Sequence, residues 1–178
     1  MVRFIRKFLA VFLLHAAVSF GAMGQDTKDI PVLTVCQALR DSALYSGQTV
    51  IVVGRSVGTD EGSWLDENCG IDLVIEGRKY PTSISTSYVV SQFAPPPQRP
   101  QGFRWDKRRL QQRLADVQQT TRLEGDAHWF AVYGRLETAA TRTITLGNGQ
   151  VATTSGYGHL GSAPAQMVAR SDCWLRLK

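Results

Sequence analysis

Val50-Ile51-Val52-Val53-Gly54-Arg55 and Phe130-Ala131-Val132-Tyr133-Gly134-Arg135 decide how this chain is read, because each is four apolar residues running into Gly-Arg. A short apolar run bounded by turn residues, with no helical periodicity, reads as a buried strand. A glycine at the same place in both predicts two strands that bend alike, as parts of one curved sheet. The match is too short to be a repeat, and its value lies in the shared bend.

Upstream of the first run lies a helix start. Thr34 is placed to cap, Gln37 follows three residues on as in a capping box, and Leu33 and Ala38 stand at the two ends of a hydrophobic staple. The helix is expected to run to about Tyr45 and stop at Ser46-Gly47, with Cys36 in its first turn. Downstream, a turn at 58–62 precedes a short strand Ser63-Trp64-Leu65, and residues 66–70 form another turn. Ile71–Ile75 pairs naturally with Arg78–Tyr80 across Glu76-Gly77, and Ile84 to Val90 extends the sheet.

Pro95, Pro96, Pro97 and Pro100 then exclude helix and central strand, so 93–105 reads as an extended surface loop, partly polyproline II. Asp106 opens a second helix with one apolar stripe, Leu110, Leu114 and Val117, ending near Arg122. After the second Gly-Arg strand, Thr143–Leu146 and Gln150–Thr153 flank Gly147-Asn148-Gly149 as a hairpin. A glycine-rich stretch, 155–163, leads to a last strand at 165–168. This order predicts a mainly β (α+β) fold, a small OB-type barrel with one helix before strand 1 and one between strands 3 and 4. The alternative is a generic α+β roll or sandwich.

The N-terminus carries an address. Arg3, Arg6 and Lys7 precede an apolar run from Phe8 to Phe20, closed by Ala22-Met23-Gly24. Positive, then apolar, then small is the pattern of a secretory signal peptide. The run is shorter than the ~20 apolar residues a membrane span needs. Residues 1–24 are therefore expected to be removed, leaving no transmembrane segment, a tether at 25–32 and a single domain at 33–178. The protein is expected to be exported, to a periplasmic or extracellular location. Processing removes three basic residues and no acid, so 20 Lys+Arg against 15 Asp+Glu becomes 17 against 15. The mature charge gives a nucleic-acid partner no support.

Cys36, Cys69 and Cys173 then lie in an oxidising compartment, where one disulfide and one thiol are expected. Closing Cys36–Cys69 is worth about 4 kcal/mol on the chain-entropy relation, and Cys69–Cys173 would give slightly more. Energy does not choose between them. Local order does: a helix packed over the turn after the second strand favours Cys36–Cys69, with Cys173 free. No Cys-x-x-Cys spacing is present, and no metal site or cofactor is expected.

Candidate sites are few. Gly156-Tyr157-Gly158-His159-Leu160-Gly161 spells G-x-G-x-x-G, but Ser162-Ala163-Pro164 follows where a nucleotide site needs a helix. A glycine-rich turn is the better reading. Asp60, Glu61, Asp66 and Glu67 flank the Trp64 strand; paired carboxylates can serve a hydrolase, though acids in turns are commonly just solvated. Lys107, Arg108, Arg109 and Arg113 make the second helix basic, a surface for anionic lipid head groups, an acidic polysaccharide or a nucleic-acid backbone, or else a solvated helix face.

Val35-Cys36-Gln37-Ala38-Leu39, Thr59-Asp60-Glu61-Gly62-Ser63-Trp64-Leu65, and Gly156-Tyr157-Gly158-His159-Leu160 with Pro164-Ala165-Gln166 resemble a group of small uncharacterised secreted bacterial proteins. The resemblance covers most of the mature chain and implies one exported OB-like domain, with no chemistry attached. The expected function is a non-enzymatic binding module of the cell envelope, meeting a glycan, an envelope protein or an anionic surface. Trp64, Tyr80 and Tyr133 would be its aromatic contacts and Arg55, Arg78 and Arg135 its polar ones. The alternative is an envelope-associated hydrolase using Asp60 and Glu61.

Overall fold

In a computed structural model the chain is described at residues 29–71, 73–75, 77–88, 95–120, 128–138, 141–145, 149–158 and 161–176. The expected signal peptide, the expected helix end at Arg122, and His159 and Leu160 lie outside these residues. In chain order the elements are β1 (Val32–Thr34), α1 (Val35–Arg40), α2 (Ser42–Tyr45), β2 (Thr49–Thr59), β3 (Gly62–Asp66), β4 (Leu73–Ile75) and β5 (Arg78–Tyr80). They continue with β6 (Ser83–Ser87), α3 (Lys107–Thr120), β7 (Trp129–Glu137), β8 (Thr141–Thr145), β9 (Val151–Ser155) and β10 (Ala165–Leu175).

The fold is mainly β, and five strands close on themselves. The sheet runs β1-β2-β3-β6-β10-β7, and β2 also pairs with β7, so β2-β3-β6-β10-β7 forms a ring. All its pairs are antiparallel except β6 with β10. The two Gly-Arg strands are neighbours, with Val50 opposite Gly134 and Gly54 opposite Phe130.

Two cores lie on the two faces of β2, which is why its four-residue apolar run shows no alternation. Val50 and Val52 join Leu65, Ile84, Leu136 and Met167 in one cluster, which Val35, Ala38 and Leu39 of α1 enter as well. Ile51 and Val53 join the stripe Leu110, Leu114 and Val117 of α3 in the other, with Ile30, Val32, Trp129 and Tyr133.

Both glycines mark close approaches. A side-chain carbon at Gly134 would come 2.5 Å from the carbonyl oxygen of Val168, and one at Gly54 would come 2.7 Å from Val35 Cγ2. The bulge falls opposite Gly134, between Ala169 and Ser171 of β10.

Several boundaries differ from expectation. The capping box of Thr34 and Gln37 is present, but the helix breaks at Asp41 into α1 and α2. The last three residues of the expected tether are packed: Ile30 is fully buried, Pro31 O accepts the Ile51 N–H, and Val32 begins β1, which pairs in parallel with β2. β10 runs to Leu175, well past the expected end near Val168, and the bulge between Ala169 and Ser171 interrupts the inside-outside alternation by which the whole strand would be read. The 141–155 hairpin forms, with Thr143 opposite Thr153.

Cys36 and Cys69 are joined by a disulfide with Cα atoms 5.5 Å apart, and Cys173 is free. The bridge ties the first turn of α1 to the chain leaving β3, beside Glu67. That carboxylate is buried and accepts the backbone N–H of Cys36 at 2.9 Å. Burial raises its pKa, and the N–H groups at the start of α1 oppose the rise.

Candidate functional site: a cleft around Trp64

Register places a row of side chains on the outside of the ring. Leu65 and Ile84 point to the core, so their neighbours Trp64 and Ser85 point out. Trp64 faces Ser85, and Ser85 faces Gln166 on the next strand. These three residues floor a cleft of about 800 Å³.

Its rim comes from two loops. The β2–β3 turn contributes Gly58 to Gly62, including Asp60 and Glu61, and the far loop contributes Gly158. Gly158 has φ +71°, and a side-chain carbon there would stand 3.1 Å from Ser85 Oγ and 3.3 Å from Trp64 Nε1. Only glycine lets the loop lie this close over the indole.

Of the G-x-G-x-x-G stretch, the described residues on either side of positions 159–160 pair back on each other. The Tyr157 N–H donates to Ala163 O at 2.7 Å, and the Ala163 N–H returns the bond at 3.0 Å. Tyr157 is buried and anchors the loop that carries Gly158 to the cleft.

The walls are hydroxylated. Ser63 Oγ and Thr86 Oγ1 lie 2.6 Å apart, and Tyr88, just after β6, lines the cleft and is 47 % exposed. The Tyr88 hydroxyl donates to Asp172 Oδ2 at 2.7 Å, which fixes the ring's position. Burial, with the bond to Asp172 adding to it, raises the Tyr88 pKa well above the ordinary phenol range. A second hollow of about 280 Å³, lined by Val57, Asp66, Pro81, Thr82, Ser83 and Ser162, shares Trp64 as its wall.

The other expected contacts do not gather here. Tyr133 is 1 % exposed, because the Pro-rich segment folds over it: Phe103 packs with ring centroids 4.9 Å apart, and the Tyr133 hydroxyl donates to Gln98 O at 2.9 Å. Arg135 serves the same segment, donating to Pro95 O at 3.0 Å while pairing with Glu137 at 2.9 Å. Tyr80 is 5 % exposed, with the Arg78 guanidinium 4.9 Å above its ring. Tyr80 and Tyr133 are corrected from surface contacts to buried packing residues. Arg55 is engaged in a two-point pair with Asp66, at 2.8 and 2.7 Å.

The basic helix also divides. Arg109 donates to Ile30 O at 3.2 Å and Arg113 to Val32 O at 2.8 Å. Both guanidiniums cover the outer edge of β1, leaving Lys107 and Arg108 as the exposed members of the four. The expected four-residue docking surface is therefore reduced to two.

Sequence reasoning found Trp64, Asp60 and Glu61 but missed Ser85, Tyr88, Gly158 and Gln166. Serines and glutamine carry no sequence signal of their own, and only strand register brings them together. No group of three or more metal-ligating side chains is found among the described residues. Among those residues, too, no helix is long and apolar enough to cross a membrane. No protein-family model matches the chain, and no curated protein or solved structure matches it at a significant level.

Proposed function

We propose that this chain is an exported, non-enzymatic binding module of OB type that acts in the periplasm or outside the cell and seats its ligand in the Trp64 cleft. Support for the OB type comes from the ring order, from the parallel β6–β10 pair that helps close it, and from α3 lying between β6 and β7. Support for export comes from the positive-apolar-small N-terminus and the Cys36–Cys69 bridge. The same features fit the resemblance to small secreted bacterial proteins.

One observation carries the binding assignment. The cleft combines an accessible aromatic ring, short polar side chains from adjacent strands and glycine-rich rims from two distant loops. Concave sites of this composition are the usual seats for ligands. In OB-type barrels, the second and third strands with the loops after strands 1 and 4 form the binding face. Here those elements are β3, β6, the 58–62 turn and the loop carrying Gly158.

The hydrolase alternative keeps one supporting fact, that Asp60 and Glu61 both line the cleft. No histidine is among the described residues that line it, and His128 lies elsewhere, its ring 6.4 Å from that of Trp174.

The test is amide chemical-shift mapping with neutral and acidic oligosaccharides, a single-stranded oligonucleotide and basic and acidic peptides. Saturable shifts centred on residues 58–64, 85–88 and 158 are expected for at least one class. Shifts confined to other faces, or none, would remove the cleft as the seat. Hydrolysis of a bound probe that stops in the Asp60→Asn, Glu61→Gln double variant would replace the binding module with the enzyme.

A further inference from the structure

We infer that the ligand of the Trp64 cleft is an uncharged oligosaccharide several sugar units long, an inference that rests on the cleft being the binding seat. Four observations converge on it.

The first is charge. Among the described residues that line the cleft, Asp60 and Glu61 are the charged ones, and Asp66, in the adjoining hollow, is paired with Arg55. Nucleic acids, uronic-acid chains and acidic peptides would meet these two carboxylates, and the described lining offers them no cation in return.

The second is backbone. β3 is hydrogen-bonded to β2 on one side and β6 on the other, and β6 to β3 and β10. The floor therefore offers no strand edge to which an extended peptide could add itself. Recognition falls to side chains and loop backbone.

The third is the pairing of surfaces. The Trp64 indole and the pinned Tyr88 ring give apolar faces, with the Ser87 hydroxyl and the Gln166 amide close by. A pyranose has the matching character, C–H groups on its faces and hydroxyls around its edge, and amphipathic rings suit such ligands. Carboxylates at the rim accept hydroxyl protons and tolerate an uncharged partner.

The fourth is extent. Two hollows meet at Trp64, so a linear ligand can lie across the indole and occupy both.

The experiment titrates the full mature protein with cellohexaose, maltohexaose and the hexamer of N-acetylglucosamine, and with hexagalacturonate and a lysine-rich decapeptide as charged comparators. Binding is followed by calorimetry and by amide shift mapping. At least one neutral hexamer is expected to bind in the cleft, with an affinity that barely changes between low and physiological salt. Trp64→Ala should weaken it by about tenfold or more, and Trp64→Phe, which keeps an aromatic face, should weaken it far less. Should Trp64→Ala fail to fold, Gly58→Leu supplies the second variant. Gly58 lines the cleft, and a side-chain carbon there meets nothing within 4 Å, so leucine adds bulk at the seat with no clash at its first carbon.

Cleft shifts from hexagalacturonate or the peptide alone would overturn the ligand class and leave the seat standing. The absence of cleft shifts with every probe would overturn both. Neutral binding equal in wild type, Trp64→Ala and Gly58→Leu would overturn the assignment to this cleft.

Discussion

At the residue scale, two kinds of position carry consequences that composition does not show. Gly134 is needed because the chain crosses within 2.5 Å of where its Cβ would be, and the obstacle is backbone, which cannot rotate away. Gly134→Ala should cost about 1–3 kcal/mol in denaturant unfolding, as forced overpacking does. Gly58→Ala, with nothing within 4 Å of the new carbon, should change stability little, by about 0.5 kcal/mol at most. Glu67 is the second kind. Burial raises its pKa, so the folded state holds that proton to higher pH than the unfolded chain does. Its contribution to stability is therefore greatest below the ordinary glutamate range and is lost as pH rises through the raised folded value. Urea unfolding of wild type and Glu67→Gln across the acidic range should show the variant gaining on wild type as pH increases. A gap widening in the wild type's favour would contradict the assignment.

At the scale of elements, α3 has a structural task that its charge pattern conceals. Ile51 N–H donates to Pro31 O, so Pro31 faces β2, while the carbonyls of Ile30 and Val32 on the outer side of β1 receive Arg109 and Arg113. The helix thus covers an edge that would otherwise invite pairing with another chain. Arg113→Ala should cost about 1–3 kcal/mol through the loss of a charged donor. Arg108→Ala, exposed on the same helix, should stay within about 0.5 kcal/mol of wild type in the same measurement. The elements themselves were legible wherever a local rule governed them. The Thr34 capping box, the Gly-Arg strands and the α3 stripe all follow from residues close in sequence. What was not legible depended on distant partners: the docking of Ile30 under α3, and β10 beyond its bulge opposite Gly134. Tyr133 was misassigned for the same reason, since nothing local to it says that residues 98–103 will lie over its ring.

At the scale of the whole molecule, a closed ring of five strands brings residues as far apart in sequence as Gly58 and Gln166 to one cleft. Trp64 stood out alone in the sequence; its neighbours Ser85, Gly158 and Gln166 acquire meaning only from register and loop placement. The Cys36–Cys69 bridge holds α1 and the chain after β3 together, and removing it by Cys36→Ala with Cys69→Ala should lower unfolding stability by about 4 kcal/mol. That the cleft is the seat of a ligand is the central claim, and the Trp64 indole N–H resonance reports on it directly. Titrated with the neutral hexamers, the wild type should show that resonance shifting and saturating together with the amides of residues 58–62 and Gly158, and Gly58→Leu should abolish the shift. A resonance that stays still while a hexamer binds elsewhere, or that never responds to any probe, would contradict it.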